Sequence, residues 1–197
     1  MCQAVAMASD RQAAIHDAAI GEFTQRGVAG TSMANIASAA GMSRPALYQY
    51  FKNKEDIFSS AFVALIDEHV ARARAALDAP GTVAEQLDQF LQRFDGDLWE
   101  YLAASPYADE ILSAKSEYVA SAVGDVMAKL HAGLAAYLRR VSPGNRRADR
   151  QRRQAWVDLL ELSPKGLKFD EPSVEEFRRR LTTLASSVGS DIVAVER

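Results

Sequence analysis

Apolar residues recur at helical spacing through nearly the whole chain, and the rhythm breaks only where glycine or proline clusters. The breaks fall at Gly27–Gly30, Gly41, Pro80–Gly81, Ser105–Pro106, Ser142–Pro143–Gly144 and Asp170–Pro172. Between them the pattern is i, i+3, i+4, i+7, not the alternation of a half-buried strand. This predicts an all-α chain of about nine helices. Hydrophobic residues make up 48% and charged residues 25% of the 197 positions, enough apolar volume for a packed core and too little charge for global disorder.

The first helix is expected over about 9–26, with Ile15, Ala18, Ala19 and Phe23 on one face. Two short helices follow, about 33–40 and 44–51, capped by Thr31 or Ser32 and by Ser43. A fourth, from the cap Asn53 to about Leu77, carries Ile57, Ala61, Leu65 and His69 flanked by Phe58 and Phe62. At 1.5 Å per residue it is a rod of roughly 35 Å. Beyond Pro80–Gly81 come a helix with Leu87, Phe90, Leu91, Phe94, Leu98 and Leu102, a short one after Pro106, and one running from Val119 to Leu138. The last two cover about 148–163, where Pro164 ends or kinks the helix, and the stretch opened by the capping box Ser173-x-x-Glu176.

The segment from Met33 to Phe51 is the most informative. Gly41 stands where the helix before it must stop in a left-handed turn, and Ile36, Met42 and Leu47 can plug the angle between the two short helices. On the second of these, Leu47, Tyr50 and Phe51 form an inward face by their spacing. Pro45, Tyr48, Gln49 and Lys52 point the other way, with Arg44 at the start. Such a face offers hydrogen bonds and stacking surface for base edges and phosphates, and Arg44 is the best candidate for a bidentate contact to guanine. Lys54 is placed to clamp a phosphate. Overall charge gives no help, since the chain is −3 at pH 7 with a pI near 5.7. Any nucleic-acid binding must therefore be local. Residues 1–54 are mildly basic, five Arg and Lys against three Asp and Glu.

The run of Ile15, Phe23, Gly27, Thr31-Ser32, Ile36-Ala37, Ala40-Gly41, Ser43 and Leu47-Tyr48-Gln49-Tyr50-Phe51-Lys52-Asn53-Lys54-Glu55 resembles the TetR (tetracycline-repressor) family over about residues 9–69. The resemblance implies a DNA-binding domain at 9–69, with its helix-turn-helix at about 32–51, and a helical ligand-binding and dimerisation domain at 70–197. It implies phosphate contacts from Thr31, Ser32, Tyr50 and Lys54, and base readout from Arg44, Pro45, Ala46, Tyr48 and Gln49. The implied partners are double-stranded operator DNA, a small-molecule effector and a second copy of the chain. The expected function is a regulator, most naturally a repressor released from an inverted-repeat operator by a small, largely apolar ligand. Activation, or DNA binding without a ligand, stays open at this level. The stretch from Gly166 to Leu181 resembles the last two helices of many members, which form a four-helix dimer interface. Trp156, Leu159, Leu160, Phe177, Leu181, Leu184 and Val188 supply apolar surface for it.

Phe90, Phe94, Trp99, Met127, His131 and Tyr137 are expected to line an apolar effector pocket, among further aromatics that include Tyr101, Tyr107 and Tyr118. No glycine-rich phosphate loop, nucleophile elbow or Cys/His ligand spacing is found, so no enzyme, metal site or cofactor is expected. The single cysteine, Cys2, rules out an intramolecular disulfide. With no signal-peptide pattern and no run of roughly 18 apolar residues, the chain reads as cytoplasmic, with no membrane partner. One feature stays without a role, the seven arginines between Arg139 and Arg153. They belong either to a solvated turn or to an anion site for an acidic ligand or a protein partner.

Overall fold

The computed structural model describes residues 2–195, and the side chains of 10–114, 119 and 123–195. Nine helices and no strand are found among them. They are α1 (Cys2–Gly30), α2 (Met33–Ala39), α3 (Arg44–Leu47), α4 (Lys54–Ala76), α5, α6 (Ala108–Tyr118), α7 (Ala120–Val141), α8 (Arg147–Gly166) and α9 (Val174–Val195). Helix α5 is continuous over 83–103 but not uniform: Val83–Leu91 is α-helical, Gln92–Gly96 is a π turn, and Asp97–Ala103 is α-helical again. The all-α expectation is met. Pro164 does not end its helix, because α8 continues to Gly166. Tyr118 has its side chain outside the described set.

The chain divides into two compact units, 1–67 with 102–124, and 68–101 with 125–197. The boundary expected from the sequence lies at 69/70. The break within α4 falls two residues earlier, and 102–124 groups with the N-terminal unit.

In the N-terminal unit, Ile15, Ala19 and Phe23 of α1 meet Ile36 and Ala37 of α2, Leu47 of α3, and Ile57, Phe58 and Phe62 of α4, all essentially solvent-free. The Phe23 and Phe58 rings meet edge to face at 5.2 Å, an arrangement that adds to plain burial. His16 hydrogen-bonds Ser60 Oγ at 2.9 Å, and burial pushes its pKa below the ordinary value. At Gly27 the backbone of α1 turns to φ +74°, ψ 168°, a region open almost only to glycine. There Glu110 accepts a hydrogen bond from Ala29 N at 2.6 Å, and Ser105 Oγ donates to Thr24 O at 2.8 Å. These two contacts tie 102–124 to the end of α1.

In the C-terminal unit, α5 and α9 pack so closely that a Cβ on Gly189 would lie 2.7 Å from the Ala84 Cα. Leu87, Phe90, Leu91, Leu134, Leu138, Trp156, Leu160, Phe177 and Leu181 form the core. The π turn is held by Arg178 of α9, whose guanidinium donates to Gln92 Oε1, Asp97 Oδ1 and Glu100 Oε2 at 3.0, 2.9 and 2.6 Å.

Candidate nucleic-acid interface

The turn between α2 and α3 is built as the sequence demands. Ser32 caps α2, accepting from Asn35 N, while Asn35 Oδ1 accepts from Ser32 N. At the other end Gly41 takes φ +63°, Gly41 N donates to Ser38 O at 3.1 Å, and Met42 N donates to Ala37 O at 2.9 Å. This pair of bonds is a Schellman motif, which satisfies the last carbonyls of α2. Ser43 then caps α3 by accepting from Ala46 N, and Pro45 sits in the first turn, where its missing N–H costs nothing. α3 itself is a single turn, shorter than the 44–51 expected, and 48–50 continue as hydrogen-bonded turns.

Leu47 is fully buried and Phe51 nearly so, and they anchor this segment to the core. Tyr50 does not share their face. Tyr48 and Tyr50 stand out from the turns between Leu47 and Phe51, at 45% and 44% exposure. Arg44, Pro45, Tyr48, Gln49 and Tyr50 form one exposed surface, with Ala46 half-buried beneath. Arg44 Nη2 donates to Tyr48 Oη at 3.3 Å, and its guanidinium lies 5.6 Å from the Tyr48 ring. The two exposed side chains thus hold each other in place.

Two of the expected phosphate contacts have other duties. Thr31 is 2% exposed, and its hydroxyl donates to Gly27 O at 2.7 Å and reaches Glu22 O at 3.2 Å. The half-buried Lys54 directs its ammonium to Val28 O, Ala29 O and Thr31 O at 2.6, 3.2 and 3.1 Å. It thereby caps the C-terminus of α1, where a cation is favoured by the helix dipole. No sequence pattern marks this, because α1 and α4 are brought together only by the fold. Ser32 and Tyr50 remain exposed.

The expected pocket residues differ widely in exposure. Phe90 and Tyr137 are core, Phe94 is 9% exposed, and Met127 and Trp99 are half-buried. His131 is exposed and 3.1 Å from Glu161, so it faces solvent. Tyr137 Oη donates to Gln86 Oε1 at 2.7 Å, and burial pushes its pKa up to about 12. The ring also borders a groove of about 380 Å³ between α4 and α7, with Ala71, Arg74, Gly133 and Arg140. Trp99 is unusual: its Nε1 is shielded from water and has no partner among the described residues.

The expected interface residues are mostly internal. Trp156, Leu160, Phe177, Leu181 and Val188 are at most 3% exposed, filling the protomer's own core, and Trp156 Nε1 donates to Asp191 at 2.8 Å. Leu184 is half-buried, while Leu159 at 47% and Leu162 at 60% are exposed on α8. Periodicity identifies the apolar stripe of an amphipathic helix but not which neighbour covers it.

Among the described residues no helix is long and apolar enough to cross a membrane, and no group of His, Cys, Asp and Glu could hold a metal ion.

A capped, glycine-turned helix pair presenting Arg, Tyr and Gln on its free face is a helix-turn-helix of the DNA-binding kind. Residues 15–61 match the family described as bacterial regulatory proteins, tetR family. The chain is 27% identical over 133 residues to the HTH-type transcriptional regulator YhgD of Bacillus subtilis, covering 68% of each. It is 33% identical over 113 residues to the HTH-type transcriptional regulator TtgR of Pseudomonas putida, covering 56% of this chain and 53% of TtgR. The alignments therefore span about two thirds and about half of these relatives. A TetR-family regulator from Rhodococcus sp. superposes with a TM-score of 0.63 at 21% identity, covering 91% of this chain and 99% of that one, a likeness of fold. The match lies on the helix-turn-helix segment, so residues 15–61 are similar to the DNA-binding part of the tetR-family regulators. The relatives are regulators, not enzymes.

Proposed function

We propose that this regulator binds an inverted-repeat operator as a homodimer and is a repressor released by a small, largely apolar effector. The observation that carries the reading is the exposed surface of Arg44, Pro45, Tyr48, Gln49 and Tyr50 on a turn anchored by Leu47 and Phe51. Arg44, Pro45, Ala46, Tyr48 and Gln49 read bases; Ser32 and Tyr50 hold phosphates. The chain has one such reading head, and two heads one DNA turn apart, roughly 34–36 Å, gain the avidity that a single head lacks.

The dimer face is α8 and α9, with Leu159, Leu162 and Leu184 supplying apolar contact while the five buried residues support them from behind. The effector enters the C-terminal unit beside Trp99, where an acceptor atom meets the orphaned Nε1. A buried N–H without a partner costs about 1–3 kcal/mol, which such a ligand recovers. The π turn one helical turn away supports this placement, since π turns recur at functional sites. Binding shifts the two heads only as far as the ligand's affinity differs between the two states.

The test is selection of bound duplexes from a random pool, followed by a metabolite screen for loss of the selected complex. A palindromic consensus, a 2:1 protein–DNA stoichiometry and an effector that quenches Trp99 fluorescence are expected. Selected duplexes without a repeat, bound one chain per site, would overturn the reading.

A further inference from the structure

The seven arginines around the α7–α8 turn separate into distinct groups. Arg140 pairs with Asp78 at 2.6 Å and Arg146 with Asp149 at 3.2 Å. Arg139, Arg150 and Arg153 instead share one groove of about 180 Å³, floored by Ala135, Leu138 and Val157, with Gln154 at its rim. No carboxylate lines it among the described residues. Asp158 lies one turn on, accepting from Gln154 Nε2 at 2.9 Å.

Arg153 is 9% exposed, and its Nη1 donates to Ser142 O at 2.7 Å and Gly144 O at 2.6 Å. Arg150 Nη1 donates to Asn145 O at 2.5 Å. Both guanidinium groups are positioned by neutral carbonyls, which orient them without cancelling their charge. A nearly buried cation with only neutral acceptors has lost hydration and gained no counter-charge, an arrangement an anion relieves. Arg139 has no hydrogen bond or ion pair among the described residues and is free to close over a bound group.

We infer that the α7–α8 groove binds a small amphipathic anion, its carboxylate or phosphate on Arg139, Arg150 and Arg153 and a short apolar tail on Ala135, Leu138 and Val157. Planar arginine forks suit both head groups. The groove is smaller than the roughly 300 Å³ at which drug-sized pockets begin, so the tail is short. On α8 the groove face at Arg150 and Gln154 lies about 80–180° around the helix from Leu159 and Leu162, so a dimer partner on that face leaves Arg150 open. The site is separate from the effector place proposed at Trp99, and operator release plays no part in its test.

The test titrates the intact protein calorimetrically with hexanoate and hexyl phosphate, with hexanol and inorganic phosphate as controls. The comparison variant is Arg139→Gln/Arg150→Gln, which spares the structural Arg153. One hexanoate or hexyl phosphate per chain is expected, weakened about tenfold or more in the variant at an unchanged melting midpoint. Nitrogen-15 spectra of the arginine Nε–Hε groups give a second readout, with Arg153 shifting on hexanoate addition in the wild type. Equal binding of hexanol, unchanged affinity in the variant or a silent Arg153 overturns the proposal. So does binding of an acidic hexaglutamate peptide where hexanoate fails, which would assign the groove to a protein partner.

Discussion

Replacing Lys54 by methionine keeps the apolar stem and removes only the ammonium, so it isolates the cap that Lys54 places on α1. Three charged hydrogen bonds are lost, to Val28 O, Ala29 O and Thr31 O. Each is worth up to about 1.5–3 kcal/mol when well formed, but they share one donor group and do not add. Ala29 is exposed and its carbonyl can rehydrate, whereas Val28 and Thr31 are buried. Counting the 2.6 Å bond nearly in full and the others in part gives a loss of about 2–3 kcal/mol, including the helix-terminus charge. For a chain of this size that lowers Tm by roughly 4–12 °C. The check is thermal unfolding by circular dichroism beside the salt dependence of non-specific DNA binding. If Lys54 serves the fold, Tm drops and the slope of log K against log salt stays put. If Lys54 instead holds a phosphate, Tm is unchanged and the slope falls by about 0.9. That second outcome would refute the reasoning.

Gly41→Ala adds a Cβ with nothing within 4 Å, so its cost is conformational only, about 1–2 kcal/mol, whereas Gly27→Ala also drives a Cβ into the Glu110 carboxylate and the Tyr107 ring at 2.9 Å. Urea unfolding should rank Gly27→Ala the more damaging by at least about 1 kcal/mol, and the reverse order contradicts the contact. Leu181→Ala, at a solvent-free site, should cost about 2–5 kcal/mol of protomer stability. Leu159→Glu/Leu162→Glu should leave the fold intact and give monomers by light scattering, and a dimer that survives the double change removes α8 from the interface. Arg44→Ala should cost about 1–3 kcal/mol on operator DNA and relax preference at one base, read by competition against point-changed duplexes. Equal loss on all sequences would make Arg44 a phosphate contact. Because burial lowers the His16 pKa, the unfolded chain binds that proton first as pH falls through the ordinary value of 6.5. Stability should drop there, and His16→Gln should remove that part of the drop.

The local features of the DNA-binding turn could be read from the chain alone. A left-handed glycine at Gly41, a cap at Thr31 or Ser32, the cap at Ser43 and the anchors Leu47 and Phe51 depend on residue chemistry within a few positions, although the same spacing also placed the exposed Tyr50 inward. Helix number and approximate extent were equally legible, because the 3.6-residue period is a property of the chain. What covers each face was not. Trp156, Phe177 and Leu181 carry the same pattern whether they pack inside one protomer or between two, and the fold puts them inside, at most 3% exposed. Lys54 looks like a surface group until α4 is folded back beside the end of α1, which it reaches over the 23 residues from Thr31 to Lys54, whereas Thr31 spends its hydroxyl on the helix it directly follows. The assignment of 102–124 to the N-terminal unit rests on Glu110 and Ser105 meeting α1 about 80 residues away in sequence. The chain by itself determined the period of each helix and the chemistry of its ends. The tertiary structure decided which polar groups are spent internally, because a hydrogen bond between distant segments leaves no periodic trace in either one.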